Sequence, residues 1–310
     1  MTTDGSLGYR STEKGDYTLM INRRDFIRST AAGAATLAAG SELAGDLFAN
    51  PYGKPIGLQL YTLRDELEKD VPGTIKKVAA IGYKEVETYA LYGMPASQFA
   101  KLLRDNGLTA PSGHYMLKDV KEHWEKSIAE ARDLGLKYMV HAILEPEDRK
   151  SFDDYKRLVD VFNKAAEQTH KAGMTFCYHN HNFEFKKYGA TTAYDYLLKE
   201  LDPKLVQFEM DCFWVTHAGH DPVALFKKHP GRFPLLHIKD LKAGIPPTTE
   251  FDAKVGLFTE VGKGIIDWKR IFAAAPQGGM KHFYVEQDLC EVPPLESVKI
   301  SYEYLHKLTV

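Results

Sequence analysis

Cysteine is scarce in this chain: Cys177, Cys212 and Cys290 are the only three in 310 residues. Three thiols cannot build a disulfide framework, so the fold must be held by burial. Long hydrophobic runs are missing as well, and nothing approaches the roughly 18 consecutive apolar residues of a membrane span. Nor is there an excess of one charge. Forty Lys and Arg face 42 Asp and Glu, for a formal charge of −2, which gives no electrostatic footprint for nucleic acid as the main partner. Aromatic residues are plentiful by contrast: 16 Phe, 17 Tyr and 3 Trp exclude a chain that stays disordered throughout.

Residues 1–50 differ in character from the rest and are read as a leader. Residues 1–19 are polar and aperiodic, with Met20 the expected initiator. Asn22-Arg23-Arg24-Asp25-Phe26-Ile27-Arg28 then precedes Ser29-Thr30 and an Ala/Gly/Leu run to about Leu43. Paired arginines ahead of a short, mildly apolar stretch resemble a twin-arginine export signal, with cleavage expected between Gly40 and Asn50. A basic-capped helix packed on the body is the competing reading, but Ala31–Gly40 is too small-residued to bury much area. Export would place the mature protein in the periplasm or outside the cell.

From Pro55 onward one motif repeats: a short apolar run ending in polar residues, then an amphipathic stretch. The strand candidates are Ile56–Tyr61, Tyr83–Glu87, Thr109–His114, Tyr138–Ile143, Thr175–His179, Val206–Asp211, Leu235–Lys239 and Phe283–Glu286. Each is short and rich in β-formers, as a strand buried on both faces should be. The helix candidates are Val71–Ile81, Pro95–Asp105, Val120–Leu134, Ser151–Ala172, Ala193–Leu201, Pro222–His229, Trp268–Ala275 and Leu295–Leu308. Gly107, Gly135 and Gly173 fall just past helix patterns, where a left-handed cap is wanted. Eight alternating pairs over residues 51–310 predict a single α/β domain, a (β/α)8 TIM barrel. A doubly wound sheet is disfavoured by the absence of a Gly-rich turn after the first strand. The long segment Leu241–Gly264 lies on the side of a barrel where catalytic loops sit.

In such barrels the chemistry is carried at the C-terminal ends of strands. Read in order, those ends supply Glu87, His114, His141, His179-Asn180-His181, Glu209 and Asp211, His237 and Lys239, and Glu286-Gln287-Asp288. Burying so many ionisable groups is costly unless they are paired or bind metal. Asp211, His237 and Glu286 would converge from three strands as two carboxylates and one imidazole. That set suits Mn, Co, Zn, Fe or Ni better than calcium.

The chain resembles the sugar phosphate isomerase/epimerase-like, or xylose isomerase-like, TIM barrels over about residues 55–308. The resemblance is carried by Gly82-Tyr83-Lys84-Glu85-Val86-Glu87 and by Tyr178-His179-Asn180-His181-Asn182-Phe183-Glu184-Phe185. It continues through Asp211-Cys212-Phe213-Trp214, Ala218-Gly219-His220-Asp221-Pro222, Leu236-His237-Ile238-Lys239-Asp240 and Val285-Glu286-Gln287-Asp288. It implies one divalent ion (Mn, Co, Zn or Mg) held by strands five to eight, and proton abstraction beside the ketone of a ketose through an enediolate. Asp211, His237 and Glu286 match the ligand positions of strands six to eight. Strand five departs from the pattern, offering His179 where the family has glutamate; His179 is the expected ligand, with His181 or Glu184 as alternatives. Glu286 is one expected base, and the opposing base falls to His179, His181 or Glu184. Losing that second carboxylate favours one-sided abstraction, so a lyase, hydrolase or dehydratase acting on 3-keto-glycosides or inosose-like ketones stands beside the isomerase/epimerase reading.

Supporting roles follow from position. Lys239 shares a strand face with His237 and could neutralise an oxyanion, unless it is tied to Asp240 or Glu209. Glu87, His114, His181 and His220 are candidate substrate contacts, and Trp214 a wall for a sugar ring. Cys177 and Cys212 are expected to pack as small hydrophobes. The expected partner is a small-molecule sugar, with homo-oligomerisation open and neither nucleic acid nor membrane required. An endonuclease reading of the same barrel would need three metals and a basic surface, and a metal-free sugar binder would need its acidic rim satisfied by lysines.

Overall fold

The computed structural model describes residues 53–310; the twin-arginine segment and its expected cleavage region lie outside the described residues. Eight parallel strands close into one barrel in chain order. They are β1 (Gly57–Gln59), β2 (Glu85–Thr88), β3 (Thr109–Tyr115), β4 (Tyr138–His141), β5 (Thr175–His179), β6 (Val206–Asp211), β7 (Leu235–Ile238) and β8 (His282–Val285). The outer ring comprises α1 (Val71–Ile81), α2 (Ala96–Asp105), α3 (Trp124–Leu134), α4 (Phe152–Lys171), α5 (Ala193–Glu200), α6 (Pro222–Lys228), α7 (Trp268–Gly278) and α8 (Pro294–Lys307). The expected barrel is therefore the observed one, and no helix among the described residues is long and apolar enough to cross a membrane. Closure pairs Gly57 with Tyr284 and Leu58 with Val285. Glycine is required at that seam, because a Cβ on residue 57 would sit 2.5 Å from the Tyr284 ring.

Two expected elements come out differently, each for a local reason. The first strand stops at Gln59 because the Gln59 side chain accepts the Tyr61 amide at 3.1 Å and turns Leu60–Leu63 into a 3-10 helix. The expected helix Val120–Leu134 is split at His123 into Leu117–Glu122 and α3. Trp124 opens α3 by donating its indole N–H to Ala165 O and Thr169 Oγ1 of α4, at 3.0 and 3.1 Å. Gly135 caps α3 in the left-handed conformation, as its position suggested.

The long segment after β7 is tied down at both ends. Asp240 accepts the amides of Gly262 and Ile266 and the indole N–H of Trp268, at 2.9, 3.1 and 2.9 Å. Asp240–Leu241 also pairs antiparallel with Phe258–Thr259. In between, Asn182 donates to the carbonyls of Thr248 and Glu250, both at 3.0 Å. Phe251 is thereby carried onto His181, Phe183 and Trp214. Cys177 and Cys212 are buried and free.

Candidate active site

Asp211 ends β6 and opens the short helix Cys212–His217. Its Oδ1 accepts the Trp214 amide at 3.0 Å as that helix's cap, and its own amide donates to Asn180 Oδ1 at 3.1 Å. A carboxylate held this way presents Oδ2 to the barrel mouth. His179 Nε2 lies 3.3 Å from that oxygen, while His179 Nδ1 donates to Ala142 O at 2.9 Å. The backbone bond fixes the tautomer and leaves the Nε2 lone pair free to bind an ion. Burial, reinforced by the charge of His237, drives His179 down to about 4, so it is neutral.

His237 occupies the neighbouring position on β7. Its Nδ1 is 2.8 Å from Glu286 Oε2, an oxygen that Lys239 Nζ also approaches at 2.6 Å. One ligand atom from each of His179, Asp211, His237 and Glu286 lies within 4.8 Å of every other. Two imidazoles and two carboxylates, all buried, fit a divalent ion of the transition series or zinc. The convergence expected of Asp211, His237 and Glu286 is therefore present, with His179 completing it.

Beneath this set lies a second buried layer that the strand-end pattern did not reveal. His237 Nε2 donates to Glu87 Oε2 at 2.7 Å, and Glu87 also accepts Gln59 Nε2 at 2.7 Å and the Ser112 hydroxyl at 2.5 Å. His114 bonds Glu209 at 2.7 Å. Burial raises the Glu209 carboxyl to about 7, with the charge of Glu87 adding to it. Burial opposes protonation of His237, but Glu209, Glu286 and Glu87 outweigh it and hold the ring well above its usual value. Glu87 thus grips the far nitrogen of a candidate ligand, and it is absent from the lining of the cavity that opens above the set.

Lys239 pairs with neither Asp240 nor Glu209. Its Nζ lies 3.0 Å from Asp211 Oδ2, 2.6 Å from Glu286 Oε2 and 2.8 Å from Asp288 Oδ1. Asp240 is spent on the loop, and Glu209 belongs to the lower layer. Burial works against the Lys239 ammonium, but the three carboxylates prevail and keep it charged. Asp288, one of the polar residues closing the last strand in the sequence, is therefore a site residue, although no role was expected of it.

A cavity of about 390 Å³ opens above these groups, with Tyr61, Arg64, Tyr89, His114, His181 and Phe251 in its wall. His181 stacks against Phe183 and leans on Trp214, and its Nδ1 is buried without a hydrogen-bond partner. Trp214 is fully buried behind His181 and does not reach the cavity. Glu184 also stays out: it accepts the Tyr178 hydroxyl at 2.8 Å and the His181 amide at 2.9 Å. His220 is exposed beside Phe185, away from the cavity. His141 ends β4 with its ring against Phe162 of α4 and Tyr178 of β5, where burial lowers it to about 3.

Residues 75–307 match the family described as the xylose isomerase-like TIM barrel. The chain belongs to that family. An inosose dehydratase of Geobacillus thermodenitrificans (strain NG80-2) is 27% identical over 165 residues, which is 50% of this chain and 55% of the relative. The match thus spans little more than half of that relative's length. A sugar phosphate isomerase/epimerase of Parabacteroides distasonis ATCC 8503 superposes with a TM-score of 0.69 at 29% identity, covering 82% of this chain and 93% of the other. An IOLI protein solved with a zinc atom superposes at 0.63 and 16% identity, covering 80% and 95%, a likeness of fold alone. Within this xylose isomerase-like barrel, the histidine at the end of β5 is held to Ala142 and turned toward Asp211.

Proposed function

We propose that this barrel is a metal-dependent lyase acting on a keto-sugar or an inosose-like ketone. One observation carries the reading: His179 has Nδ1 tied to Ala142 O, so its remaining lone pair is committed toward Asp211 and the ion position. An imidazole used in this way is no longer a base. Symmetrical epimerisation needs a proton acceptor on each face of the reacting carbon, and the strand-five acceptor has been given up to binding.

His179, Asp211, His237 and Glu286 would hold the ion, which when bound supplies Lewis-acid polarisation of the ketone. Glu286 is a weak base in this setting: burial favours its neutral form, but Lys239 and His237 override that and hold its carboxyl well below the usual range. The proton beside the ketone is given to His181, which stands in the cavity wall outside the ion set with its buried Nδ1 unpartnered; burial holds that ring well below its ordinary value, so it is neutral and its lone pair is open. As that proton leaves, the C–H electron pair forms a carbon–carbon double bond and the C–O bond at the β position breaks. Lys239, charged and backed by Asp288, delivers a proton to the departing oxygen. The result is loss of water from an inosose-type ketone, or loss of the alcohol from a 3-keto-glycoside. The inosose dehydratase relative supports the same class of reaction.

The epimerase reading keeps one support of its own, the Parabacteroides neighbour described as an isomerase/epimerase. Incubation with ketoses, inososes and 3-keto-glycosides in D2O separates the two. Release of water or aglycone supports the lyase, whereas deuterium in recovered ketose with no leaving group released supports the epimerase. Glu286→Gln is expected to lose both metal and turnover, and wild-type values for both would refute its role. Export through Arg23-Arg24 belongs to the same proposal and is checked by replacing both with lysine and fractionating cells.

A further inference from the structure

Beside the cavity above the ion position lies another of about 550 Å³. The β2–α2 loop forms one side of it with Leu91, Tyr92 and Met94, and α3 forms the other with Ser127 and Glu130. Tyr89 and His114 line both cavities, so the two spaces share a wall at those residues. The first cavity, about 390 Å³, is at the small end for an organic ligand and suits one sugar ring. The adjoining cavity adds a larger volume next to it.

We propose that the side cavity is a subsite for a second ring joined to the reacting sugar ring, so that the substrate is a glycoside and not a free monosaccharide. This rests on reading the barrel mouth as a sugar site. The shared wall is built for such a ligand. Tyr89 is 41% exposed. It is braced by Tyr61 at 4.8 Å and 72°. Arg64 in turn lies 4.2 Å from the Tyr61 ring centre and donates to the carbonyls of Tyr61 and Asp288, at 2.9 and 3.0 Å. An aromatic ring fixed from one side and open on the other is a stacking platform for a ring with an apolar face. The loop itself is not relaxed. Tyr92 is a non-glycine residue in the left-handed region, at φ 51°, and its hydroxyl is buried without a hydrogen-bond partner. Such features persist where the surrounding structure imposes them, and they cluster at ligand clamps. Leu91 and Met94 beside Ser127 and Glu130 offer apolar contact together with hydrogen-bonding groups, which suits either an aryl group or a second sugar.

The test uses the zinc-loaded full chain and glycosides lacking a ketone, so that no turnover intervenes. Calorimetric titration compares methyl β-D-glucopyranoside, phenyl β-D-glucopyranoside and cellobiose. The expected result is binding roughly tenfold tighter for at least one two-ring ligand than for the methyl glycoside. Preference for the phenyl compound assigns an aryl group, and preference for cellobiose a sugar. Tyr89→Ala is expected to bring the affinity ratio to about one, and Leu91→Trp, which fills the side cavity, to do the same by blocking it. Equal affinities in the wild type, no binding of any glycoside, or a ratio that survives both substitutions would overturn the proposal. A clear preference in a protein that turns over no keto-sugar leaves the subsite standing and removes the lyase reading.

Discussion

Glu87→Gln is the sharpest probe of how the ion site is held. Glu87 is fully buried and bonds His237 Nε2 at 2.7 Å, Gln59 Nε2 at 2.7 Å and the Ser112 hydroxyl at 2.5 Å. Glutamine preserves the shape. Its oxygen can still accept from His237, and Ser112 can rotate to accept from the new amide. What is lost is the charge on the group that grips the ligand's far nitrogen. A hydrogen bond to a charged partner contributes about 1.5–3 kcal/mol, against about 0.5–1.5 for a neutral one. The loss of about 1–2 kcal/mol corresponds to metal binding weakened roughly 5- to 30-fold, overlapping the 10- to 100-fold typical of partners behind a metal ligand. Competition against a chelator of known affinity measures it directly. Glu85→Gln is the control, since it removes the same charge from the same strand. Glu85 bonds His282 at 2.7 Å, a residue outside the ion set. Metal affinity of Glu87→Gln within twofold of wild type, or an equal loss in both variants, would refute the argument.

Two further outcomes follow from the loop and from the β5 turn. Asn182→Ala removes both side-chain bonds to Thr248 O and Glu250 O; amide exchange across residues 246–252 should accelerate by roughly tenfold or more, and unchanged protection would show that Asn182 does not secure the segment. Burial raises the Glu184 carboxyl from its ordinary 4.5 to about 7, despite the bonds from Tyr178 and the His181 amide. Between those values the folded state binds more protons than the unfolded one, so this group makes stability fall as pH rises from about 4.5 to 7, by about 3 kcal/mol in all. Urea unfolding of wild type against Glu184→Gln across that range checks the sign, and parallel pH profiles would contradict it.

Much of the site was readable before the fold was known. Asp211, His237 and Glu286 each lie within one residue of the C-terminal end of an apolar strand, and a barrel of parallel strands brings such ends to one rim, so their convergence followed from the pattern. The depth at which each side chain sits was not readable. Glu209 and Asp211 share a strand and a face two residues apart, yet Glu209 falls in the lower layer with His114 while Asp211 reaches the ion position. Trp214 and His220 belong to recognisable motifs but point away from the cavity, because the helix capped by Asp211 and the turn after it set their directions.

Local order was encoded in neighbouring residues: strand and helix periods, the glycine cap at Gly135, and the polar residues closing each strand act over a few positions along the chain. The chemistry was settled by partners distant in sequence. Ala142 fixes the His179 tautomer from 37 residues away, Asp288 meets Lys239 across 49, and Glu87 reaches His237 across 150. Those pairings exist because strands from both ends of the chain share one interior. There, burial turns each unpaired charge into a cost that only its neighbours can offset.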